Sequence, residues 1–245
     1  MNEDSSRSRT GLTPRQVAIG ALFLALTYLA LAADDVTAGA LTREDAWVES
    51  LGAAAFLAAG VLFVRAFRRS RESTWLVRAF LIAVAVFCVV AAGEEISWGQ
   101  RILGIATPAE LAAVNKQDET NLHNIEGLPF STYQLVVVFW FSFTILVPLA
   151  ARLHRPAARL LERSLPIVPL SLGALFLFND ALSKLAPRLV AATSDHLSPY
   201  VLQHAPVEIK EANLALLCAL TALWISDVLL APRRQARAAA GEAQR

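Results

Sequence analysis

Cysteine is almost missing from this 245-residue chain: Cys88 and Cys218 are the whole supply. Both fall inside apolar runs, where a cysteine acts as a small buried hydrophobe, so neither a disulfide framework nor a cysteine metal site is expected. Charge is scarce as well. Charged residues make up 18% of the chain against 56% hydrophobic, which excludes an ordinary soluble domain. No glycine-rich phosphate loop, serine nucleophile elbow or nucleic-acid-binding pattern is present, and the formal charge of +1 says nothing alone. Regular ten-residue alternation is lacking too, which argues against a membrane β-barrel. Lysine is rare beside arginine, a compositional bias common in bacterial genes rich in G and C.

What the chain does have is apolar length. Six runs can each span a bilayer as a helix: 17–33, 47–67, 76–97, 130–151, 165–184 and 207–230. The polar start with Arg7, Arg9 and Arg15 before the first run has the form of a signal sequence, but it reads better as an uncleaved span because the whole chain is membranous. Arginines cluster before span one, between spans two and three (Arg68, Arg69, Arg71, Arg78), between four and five (Arg152, Arg155, Arg159, Arg163) and after six (Arg233, Arg234, Arg237). The positive-inside rule makes those segments cytoplasmic, and six crossings satisfy the parity. The expected architecture is an all-α polytopic bundle with both termini in the cytoplasm. It comprises a polar tail at 1–15, a membrane domain at 16–231 and a basic tail at 232–245, in the cytoplasmic membrane of a bacterium.

Acids collect on the other side. Some have a structural excuse. Thr42 with Asp45 spells a capping box opening span two, and Thr107-Pro108-Ala109-Glu110 spells another, opening a short interfacial helix between spans three and four with Leu111 and Val114 toward lipid. Pro206 is expected to begin the last helix, which gives Glu208 a first-turn role and leaves His204 outside. Glu49, Glu94, Glu95, Asn179, Asp180, Glu211 and Asn213 lack such an excuse. They lie at similar depth on four spans, and polar groups inside a membrane are costly unless paired or used. Asp180 with Lys184, at i,i+4, is as readily an internal ion pair as a functional group.

The densest constellation is Gly93-Glu94-Glu95-Ile96-Ser97-Trp98-Gly99-Gln100-Arg101. On a continuous helix Glu94, Trp98 and Arg101 would share a stripe with Ser97 beside it, while Glu95 points elsewhere. Trp98 also suits an interfacial anchor. Two adjacent acids near an arginine can divide into an acid and a base. Downstream, Glu119, His123 and Glu126 fall at i, i+4 and i+7 if that segment is helical, a spacing that suits a divalent metal. Asn121 and Asn124 flank His123, and Gln100, Trp98, Asn121, Asn124 and Asp180 are the candidate substrate-binding groups. The candidate catalytic residues are Glu94, Glu95, Arg101 and His123.

The run from Glu94 to Ile102, with Thr107-Pro108 after it and Asn121-Leu122-His123-Asn124 further on, resembles a recurrent signature of bacterial multi-pass membrane proteins that implies no known activity. It covers some thirty residues. The paired acids are distantly similar to those of CAAX-type glutamic intramembrane proteases. In that family an arginine follows the second glutamate by four residues, whereas Arg101 follows Glu95 by six, so the catalytic roles do not carry over.

Three functions fit these residues. The first is a hydrolase or transferase acting on a lipid or other membrane-borne substrate, with a divalent metal as the implied cofactor. The second is an ion- or proton-coupled transporter using Glu49, Glu95, Asp180 and Glu211. The third is a non-catalytic assembly subunit. The membrane lipid is the one partner that all three share; oligomeric state is not legible.

Overall fold

The computed structural model describes residues 11–43, 46–115, 120–122, 125 and 132–228, leaving aside the side chains of 101, 102, 132, 133 and 228. The described chain is helical and carries no strand, only an isolated antiparallel bridge between Asn115 and Ile125. Helix α1 is Pro14–Thr27, opened by a capping box between Thr13 and Gln16 and prolonged by a 3-10 turn, Tyr28–Ala32. It is followed by α2 (Asp35–Thr42), α3 (Trp47–Arg69) and α4 (Trp75–Glu95), and then by two short helices, α5 (Gln100–Leu103) and α6 (Ala109–Ala112). Helix α7 (Thr132–Phe141) continues through a π-helical turn, Ser142–Leu146, into α8 (Val147–Leu153). Helices α9 (Arg155–Ser164), α10 (Leu170–Thr193) and α11 (Pro199–Val228) complete the fold.

Five stretches are long and apolar enough to cross a membrane: Pro14–Ala32, Asp35–Arg69, Trp75–Glu95, Gln134–Leu153 and Pro199–Asp227. Their outer surfaces carry exposed leucine and valine, such as Leu51, Leu57 and Val61 on α3 and Val86, Val89 and Val90 on α4. Exposed apolar surface on this scale suits a hydrocarbon solvent, and the chain is a multi-pass membrane protein. The sixth expected run is also a single helix, α10. It falls short of the five in apolar character because Asn179, Asp180, Lys184 and Arg188 interrupt it.

Helix α3 packs most extensively on α11 and α4. Lipid gives apolar side chains no reason to associate, so close approach through small residues matters more. Gly52 lets the backbone of α11 come close: a Cβ built there would stand 3.4 Å from Ala212 Cα. Gly60 does the same against Ala85 O of α4, also at 3.4 Å. Phe63, Leu81, Cys88, Cys218 and Ile225 fill the core toward the arginine-rich end, and both cysteines are free thiols buried in it.

Five local expectations change. Thr42 does not cap span two but ends α2, its hydroxyl donating to Ala38 O, and Ala46 is the N-cap of α3; Asp45 lies outside the described residues. Thr107 does not cap α6 either, because its hydroxyl accepts from Gln100 Nε2, and Pro108 takes the cap position of a helix only four residues long. There Leu111 is half-buried and Val114 is exposed. Pro206 sits inside α11, which begins at Pro199 behind a Ser198 cap that receives Val201 N–H. Ser198-Pro199 supplies the cap and first-turn proline that Pro206 was expected to provide. His204 therefore lies on the helix, its ring 4.2 Å from that of Tyr200, and Glu208 is not in a first turn.

The π-helical turn has a covalent cause. Pro148 has no N–H to give the Thr144 carbonyl and its ring crowds that carbonyl, so the turn widens. Gly173 of α10 packs directly on the widened turn: an added Cβ would fall 2.6 Å from Thr144 O and 2.5 Å from Ile145 Cγ1. Gly173→Ala should therefore destabilise the protein by about 1–3 kcal/mol. A thermal-unfolding midpoint in detergent that falls clearly for G173A, and less for G60A, is the expected result.

Helix α2 supplies a second check. Asp34 caps it, accepting from Thr37 N at 3.1 Å and from Thr37 Oγ1 at 2.7 Å, and these bonds hold the carboxyl below its ordinary pKa of 3.8. A group with a depressed folded pKa contributes stability above its unfolded value and loses it as pH falls through the folded one. The stability gap between wild type and Asp34→Ala should thus be full at neutral pH and narrow below about pH 4, measured by denaturation across pH.

Candidate functional site

The two adjacent glutamates, both in the last turn of α4, point about 100° apart, and the helix stops at Glu95. Ser97, Trp98 and Gly99 follow with φ of 45°, 55° and 76°, three left-handed residues in succession. Two of them are not glycine, and such residues cost about 1–2 kcal/mol each, so the surrounding contacts must hold the turn in place. This corrects the continuous helix expected from Glu94 to Arg101. Glu94 and Trp98 do meet, but across the turn and not along a helical stripe.

Glu94 is buried, and both its oxygens are engaged. Oε1 accepts from Trp98 Nε1 at 2.7 Å and Oε2 from Leu122 N–H at 2.6 Å. The Trp98 indole folds across Gly93, where an added Cβ would stand 2.8 Å from the ring. Around this bond the rest of the signature closes. Gln100 donates to Thr107 Oγ1 at 2.7 Å and accepts from Thr120 N–H at 2.5 Å. Buried Asn121 donates to Ser97 Oγ at 3.2 Å, and Asn115 donates to the Asn121 side chain at 2.9 Å and carbonyl at 3.0 Å. Glu94, Ser97, Trp98, Gln100 and Asn121 thus form one clamp that binds the connection after α4 to the end of that helix.

Glu95 turns into the seam between α3 and α11. Its Oε2 lies against Gly52, 3.3 Å from where a Cβ would stand. There it is in the electrostatic field of Glu211, Glu49 and Glu208, which α11 and α3 bring to the same end of the seam. Lys210 lies in the field of Glu211, Glu208 and Asp180 and joins this group to its neighbours. Neither Glu95 nor Glu211 has a hydrogen-bond partner among the described residues, and both are half-buried.

A third set of polar groups is fully paired. Buried Asn179 accepts from Tyr28 Oη at 3.1 Å and from Asn213 Nδ2 at 3.0 Å, and donates to Lys210 O at 3.0 Å. Asn213 also donates to Thr27 Oγ1 at 2.8 Å. These bonds tie α1, α10 and α11 together. Asp180 is bound to Lys184 at 2.6 Å on the outer side of α10, so it joins the local pair that its spacing suggested and not the four glutamates.

Arg101 falls in α5. Glu119, His123, Asn124 and Glu126 lie outside the described residues, and among the described ones no three His, Cys, Asp or Glu side chains form a metal-binding set. The remaining histidines serve locally. His154 caps α9 and His196 bonds Ser194 and Leu31 O. Tyr28, Thr27 and Lys210 were not singled out in the sequence. The first two sit in an apolar run where nothing distinguishes them, and Lys210 has the ordinary look of a lysine beside an acid.

Glu94→Ala should leave Trp98 Nε1 and the Leu122 amide without an acceptor at a cost of about 2–4 kcal/mol. The Leu122 amide hydrogen should then exchange faster in E94A than in wild type, whereas Glu95→Gln should leave the exchange rate unchanged. Equal rates in all three proteins would contradict the clamp. No protein-family model, curated protein or solved structure matches the chain, so the functional reading rests on this geometry.

Proposed function

We propose that the chain is a six-span protein of a bacterial cytoplasmic membrane, with both termini inside, that performs acid–base hydrolysis or group transfer on a lipid or membrane-borne substrate near the extracytoplasmic side. The observation that carries this reading is the placement of Glu95. It is a carboxylate inside a helix seam, facing a glycine and sharing its surroundings with Glu211, Glu49 and Glu208. Arginines at the opposite end of the spans support the orientation, and the length of α10 supports its counting as the sixth crossing.

In this reading Glu94 is the fastener and Glu95 is the reactive group. Glu95 takes a proton from the attacking water or hydroxyl while a second carboxyl of the group, Glu211, returns one to the leaving oxygen. One bond to the substrate forms, one breaks, and the protons balance. Arg101 would hold an anionic headgroup. His123 with Glu119 and Glu126 is the set whose spacing suits a divalent ion, which would polarise the bond under attack.

Transport is the second reading, favoured by the same carboxylates because they come from three spans. It needs a polar route to the other end. From the level of Cys88 onward the seam is filled by Cys88, Cys218, Leu81, Phe63 and Ile225, which supports a one-sided pocket over a pathway.

The test compares lipid extracts of cells making wild type, Glu95→Gln or no protein, at matched expression, by mass spectrometry. Lipid species that change with wild type and revert with E95Q are the expected outcome. Identical extracts, together with proton or cation flux into proteoliposomes that E95Q and E211Q abolish, would replace catalysis by transport.

A further inference from the structure

The other end of the bundle carries a feature that the carboxylate site does not use. Helix α9 is strongly two-faced. Ala157, Ala158, Leu161 and Ser164 are half-buried, and Arg155, Arg159 and Arg163 recur every fourth residue along its exposed side. Leu160 stands beside that stripe, 68% exposed. The helix is fastened to the bundle by Thr74, whose hydroxyl donates to the Arg163 carbonyl while it also caps α4 by accepting from Val77 N–H.

Between these two elements is a hollow of about 490 Å³. Ser73, Thr74 and Val77 line it from the start of α4, Arg159 and Arg163 from α9, and the 165–167 stretch closes it. Glu72 and Glu162 also border it, yet the wider surface is strongly cationic. Segments 65–78 and 152–163 hold nine arginines and these two acids. Arg159 and Arg163 form no ion pair among the described residues. The hollow opens at the first turn of a spanning helix, next to Trp75, which is 74% exposed. Tryptophan at the end of a span marks headgroup depth.

We infer that this hollow is a binding site for an anionic phospholipid of the adjoining leaflet, with the phosphate held between Arg159 and Arg163 and an acyl chain lying along the apolar wall at Val77 and Ile167. Guanidinium forks match phosphate oxygens in pairs. A freely soluble anion would need only the arginines. The apolar lining and the depth at the end of α4 suit a ligand with a hydrocarbon tail, and the exposed Leu160 and Leu153 lie where tails would cover them. This site stands apart from Glu95 and does not depend on its reading.

The experiment uses the full chain in detergent, probed with phosphatidylglycerol, phosphatidylcholine and inorganic phosphate, with binding read by native mass spectrometry and by thermal shift. Phosphatidylglycerol should bind and stabilise wild type while phosphatidylcholine and phosphate do not, and high salt should weaken the effect. Each arginine at a lipid surface is worth about fivefold in affinity, so R159Q/R163Q should lose roughly 25-fold. Arg188→Gln, at the far end of α10, should lose nothing. The salt arm needs no variant and guards against a double mutant that folds poorly. Equal stabilisation by free phosphate, equal binding of phosphatidylcholine, or undiminished phosphatidylglycerol binding by a folded R159Q/R163Q would each overturn the proposal.

Discussion

A single break in one helix decides how the carboxylate beside it is bonded. Were α4 to continue past Glu95, Glu94 and Glu95 would still sit about 100° apart on one cylinder, but Trp98 would stand a full turn further along the axis. The left-handed residues Ser97, Trp98 and Gly99 fold the chain back instead, so that Trp98 reaches Glu94 across Gly93. One carboxylate is thereby consumed by two N–H donors, and its neighbour is left aimed into the seam. The strain of two non-glycine left-handed residues is compensated by charge-assisted hydrogen bonds, which are among the stronger ones in proteins, and the bonds from Asn121 and Gln100 hold the same turn from outside.

The seam itself follows from the solvent. In hydrocarbon, helices gain little by burying leucine on leucine, and close backbone approach through glycine and alanine is the alternative. Gly52 serves both needs: it admits Ala212 of α11 and leaves room for the Glu95 carboxylate at the same height. A larger residue there would separate the helices and cover the acid. Further along, Ala59, Gly60, Ala66, Ala215 and Ala222 continue the small-residue contact, and no carboxylate joins them. The carboxylates of the seam are thus confined to one end, while the other end is packed.

Much of this was legible in the amino-acid order, because membrane length and arginine placement are coarse signals. The helical class and five of the six runs follow from apolar length alone. The sixth, α10, was visible as a helix, but Asn179 to Arg188 dilute its apolar character. Small features were misread where two residues competed for one role: Pro199 against Pro206 as the start of α11, and Ala46 against Thr42 as the cap of α3. At the site, the depth and company of Glu95, Glu49 and Glu211 pointed to a common location. The divergence of Glu94 from Glu95 followed from helical periodicity, but the turn that brings Trp98 back onto Glu94 did not, since no periodicity announces a left-handed serine and tryptophan. Nor could spacing tell that Asn179, Asn213 and Tyr28 satisfy one another, because partners 34 and 151 residues apart leave no local trace.

That last point separates the intramembrane polar groups by what they need. A buried polar group without a partner costs several kcal/mol in an apolar medium, and a charge costs more. Asn179 and Asn213 meet the requirement through amide bonds that fix three helices, so their presence is explained by architecture. Asp180 meets it with Lys184, and Glu94 meets it with Trp98 and Leu122. Glu95 lies in the electrostatic field of Glu211 and neither has a hydrogen bond among the described residues, while Lys210 adjoins Glu211. Architecture gives no reason for two acids in that position, since a leucine at 95 would fill the seam at lower cost. An arrangement that is expensive to fold and contributes nothing to packing is the kind that chemistry or binding retains, which singles out Glu95 over the better-bonded Glu94.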